Sequence, residues 1–255
     1  MSVLEGGRHL VLRPSMTRNV ALVTQMRAGT HFLCAALRIA LRATIYRPSD
    51  AQRYVVMEDD YIWKGLRERV ALPPASADRR VYFSHYYHPH RFALEPMPRI
   101  SLVGFPLDSF YSDGIVYSDK VRANDPGPSV SRGHARDYVF RFDSAEWRLL
   151  EPRMRENAAW LEGIEEGERD LLIRYEDFFL DFDRTAARIA DFTGGFLAPL
   201  PKPVANPRRT YWTQRYAEAF DPPALAALCT HFAAAIRRFY PERWPALGAA
   251  MAAHR

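Results

Sequence analysis

Residues 19–43 read NVALVTQMRAGTHFLCAALRIALRA, and this stretch decides the expected fold of the chain. Its first part, Asn19–Thr24, is a short apolar run typical of a buried strand. Gln25–Gly29 contains the glycine expected at a tight turn. From Thr30 to Ala43, apolar residues recur at helical spacing, so a helix is predicted there. The stretch therefore predicts a strand, a short loop and a helix in direct succession.

The same alternation continues along the chain. Further strands are predicted at Arg80–Ser84, Arg99–Val103 and Asp170–Arg174, and helices at 107–117, 145–161, 182–192 and 223–239. A surface loop rich in Gly, Pro, Asp and Ser is predicted at 119–137. Strands that alternate with helices predict an α/β fold of three layers, in which a central, mainly parallel sheet is flanked by helices. We expect one domain over residues 1–255, with its ligands at the carboxyl ends of the strands.

The charge balance favours a small anionic ligand over nucleic acid. Thirty-five Lys and Arg face 30 Asp and Glu, for a formal net charge of +5, and most of the cations are arginines. The planar fork of arginine matches phosphate and sulfate oxygens. No dense basic run or nucleic-acid motif occurs, so nucleic acid is not expected as a partner.

Neither the cysteines nor the apolar segments suggest an oxidising or membrane environment. Cys34 and Cys229 lie among apolar and small residues, which predicts two buried thiols rather than a disulfide. No signal-peptide pattern is visible in residues 1–18, and no apolar stretch is long enough to span a bilayer. The sequence therefore predicts a cytoplasmic protein.

The segment from Gln25 to Phe32 has the properties of an anion-binding loop. A helix that starts directly after a strand points backbone N–H groups and the positive end of its dipole outward. Arg27 adds a full positive charge there, and Thr30 adds a hydroxyl donor. The segment is not a GxxxxGK[ST] loop, because the Lys-Ser/Thr pair that serves a nucleotide with Mg²⁺ is absent. The alternative is an ordinary strand-to-helix turn with a solvated arginine.

This segment resembles the 5′-phosphosulfate loop of the sulfotransferase family, commonly written Pro-Lys/Arg-Ser-Gly-Thr-Thr-Trp/Phe. The residues that match this pattern are Arg27, Gly29, Thr30 and Phe32. Those that depart from it are Met26, Ala28 and His31. The resemblance implies that residues 27–32 bind 3′-phosphoadenosine 5′-phosphosulfate (PAPS), with Arg27 on the 5′-phosphate and the bridging oxygen and Phe32 on the adenine. His31 either touches the sulfate or caps the helix.

A second segment, residues 100–112, is similar to the 3′-phosphate segment of the same family. Pro106, Asp108 and Ser112 match in register, which implies that Ser112 contacts the 3′-phosphate. Gly104, however, stands where the family has an arginine that grips this phosphate. An ordinary helix serine is the alternative interpretation of Ser112.

Two later segments extend the resemblance. Strand 170–174 runs into Arg174-Tyr175-Glu176-Asp177, a frequent family signature that implies a place for Tyr175 near the adenine. Glu176 and Asp177 are expected to be helix caps or ion-pair partners rather than catalysts. Arg208 and Arg209 occupy the place of a late basic loop of the family. They either replace the arginine missing at position 104 or form a solvated surface pair.

The predicted catalytic base is His85, at the end of a strand that carries a histidine in many family members. Histidine accepts a proton near neutral pH, as the transfer requires. His88 and His90 are nearby alternatives for this role. Three histidines in so short a stretch also suit a metal, but no Cys or carboxylate lies at ligand spacing, so no metal is expected.

Together these residues predict a PAPS-dependent sulfotransferase that acts without a metal on the hydroxyl or amine of a small molecule, sugar or lipid. A kinase related to the P-loop enzymes is one alternative, and Mg²⁺ dependence would distinguish it. A protein with this fold but no catalysis is another, and Gly104 favours it.

Overall fold

The computed structural model describes residues 19–49, 53–66, 69, 71–88, 94–122, 139–203 and 216–252. A six-stranded sheet forms the centre. Its strands are β1 (Asn19–Thr24), β2 (Thr44–Pro48), β3 (Tyr54–Val56), β4 (Arg80–His85), β5 (Arg99–Val103) and β6 (Asp170–Arg174). They lie in the order β3-β2-β4-β1-β5-β6, and all neighbours are parallel except β2 and β3. After β1 the chain forms β2, β3 and β4 on one side of β1 and then crosses to β5 on the other side, so a topological switch point lies at the carboxyl end of β1.

Helices cover both faces of this sheet. They are α1 (Thr30–Ala40), α2 (Asp59–Leu66), α3 (Pro106–Arg122), α4 (Ala145–Glu162), α5 (Asp177–Leu180), α6 (Phe182–Thr193), α7 (Tyr216–Ala219), α8 (Pro222–His231), α9 (Ala233–Phe239) and α10 (Trp244–Ala252). Because side chains alternate along a strand, β1 serves two cores. Val20 and Leu22 pack with α1 and α6, whereas Ala21 and Val23 pack on the side of α4. The predicted three-layer α/β fold is confirmed.

The helix after the loop is shorter than predicted. It ends at Ala40 rather than Ala43, and Leu41 closes it with a backbone hydrogen bond to Leu37. Arg42 then adopts a left-handed backbone conformation with φ 51°. This turn stops the helix and redirects the chain into β2, a constraint that the apolar periodicity does not contain.

Two other helix predictions are wrong in extent. The helix predicted over 223–239 is two helices, α8 and α9, separated at the fully buried Phe232. The helix predicted over 107–117 runs on to Arg122, so residues 119–122 are helical rather than part of a loop. The remainder of the predicted loop, 123–137, lies outside the described residues.

Both cysteines are buried and unpaired with each other, as predicted. Burial raises the pKa of Cys229 to about 12, and it raises that of Cys34 as well. Neither thiol is therefore a ready nucleophile near neutral pH. Across the described part of the chain, none of the helices combines the length and apolar character needed to cross a membrane.

Candidate active site

The carboxyl ends of β1 and β4 bring two predicted parts of the site together: residues 25–29, here called the anion loop, and the predicted base His85. In the parallel pair of β1 and β4, Thr24 lies opposite His85. On its other side β1 pairs with β5, where Thr24 lies opposite Leu102. Gln25 to Gly29 therefore begin beside His85, at the switch point where α/β sheets bind ligands.

The loop backbone is shaped by two left-handed residues, Arg27 with φ 62° and Gly29 with φ 87°. Gly29 is also the N-cap of α1, so the helix starts without the side-chain cap that usually satisfies its first amides. An added Cβ at Gly29 would lie only 2.2 Å from the Tyr175 ring. Glycine is thus required both for its backbone conformation and for the close approach of Tyr175, and the helix start stays suited to an anion.

Arg27 connects two segments that were predicted separately. Its Nε donates to Ser112 Oγ at 3.2 Å and lies 3.9 Å from Asp113 Oδ1. The Arg27 side chain is 39% exposed, whereas that of Asp113 is only 13% exposed. Loop 25–29 and the segment around Ser112 thus meet at a cation that solvent can reach.

A buried hydrogen-bond relay joins the anion loop to His85. Thr30 Oγ1 donates to Thr24 Oγ1 at 2.9 Å, and Thr24 Oγ1 lies 2.9 Å from His85 Nδ1. The contact holds the imidazole through Nδ1; in the tautomer in which Nδ1–H donates to Thr24 Oγ1, the lone pair of Nε2 is available to accept a proton. The sequence reasoning missed Thr24, although its place at the end of a strand parallel to the His85 strand was a usable signal.

The surroundings of His85 keep its imidazole neutral. The pKa of His85 is lowered from 6.5 to about 4, mainly by burial; the charges of His31, His88 and Arg27 contribute to this lowering, and a hydrogen bond to the Thr24 backbone opposes it. The Tyr87 ring stacks on the imidazole at a centroid distance of 5.6 Å. At pH 7 the His85 imidazole is therefore unprotonated and can act as a base.

We expect Thr24→Val to lower kcat by roughly tenfold, because one buried hydrogen bond that orients His85 is lost. The affinity for the nucleotide should change little, and Thr24→Ser should restore kcat because it keeps the hydroxyl. Nitrogen NMR of the imidazole provides a readout independent of turnover, since the balance of His85 tautomers should shift in Thr24→Val and return in Thr24→Ser. Equal kcat and equal spectra in Thr24→Val and wild type would contradict this positioning role.

The other histidines are less well placed. His31 is exposed, and its ring packs 5.2 Å from Tyr61 of α2. His88 follows His85 in a turn, in which the His88 N–H donates to the His85 carbonyl at 3.0 Å. His90 lies outside the described residues. Among the described histidines, the relay to the loop therefore singles out His85.

The departure at Gly104 has a steric reason. An added Cβ there would lie 3.2 Å from Ala28 Cα and 3.2 Å from Ser109 Oγ. The Gly104 N–H also donates to the buried Gln25 Oε1 at 2.8 Å. The end of β5 is thus packed directly against the loop, and a side chain at position 104 would require Ala28 or Ser109 to shift by a few tenths of an ångström.

Phe32 and Tyr175 are predicted adenine contacts, and both are largely buried. Their ring centroids are 6.3 Å apart, and Phe32 also packs on Phe178 at 5.2 Å. The cluster of Phe32, Tyr175 and Phe178 packs against the loop, because the Tyr175 ring lies next to Gly29. Contact with an adenine stays a prediction for both residues.

The two acidic residues after β6 have structural partners, as expected. Asp177 Oδ1 accepts from Arg174 at 2.6 Å. Glu176 is fully buried, and its oxygens accept from the Phe105 N–H and the Tyr240 hydroxyl, both at 2.9 Å. Burial, followed by the charge of Glu176, raises the pKa of Tyr240. These contacts tie the ends of β5 and β6 to the C-terminal helices.

Two further predictions concern basic residues and metals. Arg208 and Arg209 lie outside the described residues, so their role stays a prediction. Within the described ranges, no group of three or more His, Cys, Asp and Glu side chains is arranged to hold a metal ion.

Solved structures identify the fold. Mouse sulfotransferase SULT7A1, complexed with PAP, matches with a TM-score of 0.52 over 91% of this chain and 88% of that chain, at 16% identity. The chain has the fold of the sulfotransferases. A sulfotransferase domain from the curacin biosynthetic pathway matches less closely, with a TM-score of 0.42 and 14% identity over 77% of this chain and 81% of that one. A sulfotransferase from Alicyclobacillus acidocaldarius has a TM-score of 0.38 and 14% identity over 83% and 94%. No family model matches the sequence, and no curated protein is significantly similar to it.

Proposed function

We propose that this protein is a sulfotransferase that moves a sulfuryl group from PAPS to a hydroxyl or amine of a small molecule, sugar or lipid. The observation that carries the proposal is the relay from Thr30 through Thr24 to His85. It joins a loop suited to an anion to a neutral imidazole, which are the two groups that transfer from an anionic donor to a hydroxyl requires.

The residues present fit the donor. The start of α1, Arg27 and Thr30 would hold the 5′-phosphosulfate, since backbone amides, a guanidinium and a hydroxyl donate to anionic oxygens. Ser112 lies within hydrogen-bond distance of Arg27 and would contact the 3′-phosphate together with Arg208 and Arg209. The solved neighbour that binds PAP supports a ligand with this bisphosphate pattern.

The proposed reaction is a direct in-line displacement. The acceptor oxygen or nitrogen forms a bond to sulfur while the bond from sulfur to the bridging oxygen breaks. His85 takes the proton of the acceptor, and adenosine 3′,5′-bisphosphate leaves with the bridging oxygen. Arg27 and the amides of the loop stabilise the negative charge that grows on this oxygen, which explains how the transfer can proceed without a metal.

Two alternatives depend on particular residues. A kinase would need the Gly-Lys-Ser/Thr loop that serves Mg²⁺ and a nucleotide, and here Thr30 and His31 follow Gly29 in place of that pair. A protein without catalysis is favoured only by Gly104, which removes one expected phosphate contact. The close packing of Gly104 on Ala28 accounts for this residue through the geometry of the loop.

Calorimetric titration with adenosine 3′,5′-bisphosphate tests the donor site. We expect it to bind at least roughly tenfold more tightly than adenosine 5′-phosphate, because the 3′-phosphate adds charge-assisted hydrogen bonds. Mg-ATP serves as the comparison for a kinase. Equal affinity for the bisphosphate and the monophosphate would overturn the assignment, and tight binding of Mg-ATP would then favour a kinase.

A further inference from the structure

Two tyrosines, Tyr86 and Tyr87, directly follow the candidate base His85, and neither takes part in the proposed transfer. Tyr86 is only 3% exposed. Its hydroxyl donates to the Arg153 carbonyl at 3.0 Å, and its ring stacks on Trp160 at a centroid distance of 5.4 Å. Arg153 and Trp160 both belong to α4. Tyr86 therefore anchors the turn after β4 to this helix.

The half-buried Tyr87 lies against the imidazole of His85. The two rings are nearly parallel, with an interplanar angle of 9° and a centroid distance of 5.6 Å. The guanidinium carbon of Arg153 lies 5.3 Å from the centroid of the Tyr87 ring, within the range of a cation–π contact. The same residue of α4 thus contacts both tyrosines, so the Tyr87 ring is held by contacts that do not involve His85.

Three groups define the orientation of the His85 imidazole. Thr24 Oγ1 lies 2.9 Å from Nδ1, the Tyr87 ring stacks on the imidazole, and the Phe83 ring lies edge-on at 5.8 Å with an interplanar angle of 83°. One hydrogen bond fixes the position of Nδ1 but leaves the ring free to tilt about it. Aromatic contacts restrict the tilt, because stacked and edge-on arrangements of rings are preferred. Together the contacts set the direction in which Nε2 points.

We propose that Tyr87 is a positioning residue for the transfer, whose ring holds the plane of the His85 imidazole so that Nε2 meets the hydroxyl or amine of the acceptor. This inference rests on the proposed function and adds the residue that orients its base. A general base must lie within hydrogen-bond reach of the proton it takes, and a small misplacement of reacting groups lowers the rate. The role belongs to the ring of Tyr87 rather than to its hydroxyl, since stacking uses the aromatic face.

Tyr87→Leu and Tyr87→Phe separate the ring from the hydroxyl. We expect Tyr87→Leu to lower kcat in a PAPS turnover assay by roughly three- to tenfold, the range that corresponds to the coupling of an aromatic pair. KM for the donor should change little, because Tyr87 acts on the base. Tyr87→Phe keeps the ring and should retain the kcat of wild type. Carbon NMR relaxation of the imidazole gives a second readout: the order parameter of the His85 ring should fall in Tyr87→Leu and stay high in Tyr87→Phe.

The matched control is Tyr46→Leu. Tyr46 is a half-buried tyrosine of β2 that stacks on Tyr82, at 4.8 Å and 18°, rather than on His85. Its substitution should leave kcat and the order parameter of His85 unchanged. A wild-type order parameter in Tyr87→Leu, or an equal loss of kcat in Tyr87→Phe, would overturn the inference. Absence of PAPS turnover in the wild-type protein would remove the proposed function, whereas a drop in the order parameter confined to Tyr87→Leu would still establish that Tyr87 orients His85.

Discussion

Arg27→Ala should lower kcat by at least roughly 10²–10³-fold, the usual cost of losing a group that stabilises charge in the transition state. Arg27 is the exposed cation at the start of α1, and it also donates to Ser112. On the proposed function, its loss removes the positive charge that stabilises the leaving oxygen, and it breaks the hydrogen bond between loop 25–29 and Ser112. We therefore expect weaker binding of adenosine 3′,5′-bisphosphate as well, measured by calorimetry beside a PAPS turnover assay.

Arg42 offers a matched control for this substitution. It is also an exposed arginine in a left-handed backbone conformation, with φ 51° against 62° for Arg27, but it lies at the opposite end of α1. Arg42→Ala therefore also places an alanine in a left-handed backbone conformation, but at a position away from the site. The activity of this variant should equal that of wild type. Arg27→Lys keeps the charge but loses the fork, so an intermediate rate is expected. Full activity in Arg27→Ala would remove this residue from the mechanism.

The central strands could be predicted from the sequence because they are buried on both faces. The strands Asn19–Thr24, Arg99–Val103 and Asp170–Arg174 have the predicted bounds, and Arg80–His85 is one residue longer than predicted. In a strand covered by helices on both sides nearly every residue is apolar, so the run itself marks the element. The mainly parallel sheet could also be predicted, because strands that alternate with helices are joined by crossovers.

The edge of the sheet could not be predicted in this way. No elements were assigned within residues 44–66, where β2, β3 and α2 lie. β3 has three residues and only one neighbour, and none of its residues is fully buried. A strand this short shows no period that a sequence could reveal, and the polar and aromatic residues around it fit a loop equally well.

In the candidate site, residues that belong to one continuous sequence motif could be predicted. Contacts between residues far apart in the sequence could not. Segment 25–32 could be recognised because it combines a glycine, an arginine and the start of a helix. The partner atoms of His85 and Arg27 depend on strand register and on how α3 packs, as the contacts of Thr24 and Ser112 show. Ser112 was predicted only through the family resemblance.

Substitution of His85 tests its role as the general base. His85→Ala is expected to lower kcat by roughly 10²–10⁴-fold, the range for loss of a general base, while binding of adenosine 3′,5′-bisphosphate persists. His88→Ala is the matched control and should retain activity, because His88 is outside the relay. A His85→Ala protein with wild-type turnover would remove His85 from the mechanism, whereas loss of activity only in His88→Ala would transfer the role to that residue.

The low pKa of His85 adds a prediction for acid pH. The general base must be neutral, so kcat/KM for the donor should stay flat well below pH 6.5 and fall only near the folded pKa of about 4. In the unfolded chain the imidazole takes up its proton near pH 6.5, so the wild-type protein loses stability as the pH falls from 6.5 to 4. His85→Ala lacks this loss. Urea denaturation at pH 7 and pH 4.5 should therefore show a larger drop in unfolding free energy for wild type than for the variant, and an equal drop would show that burial does not lower this pKa.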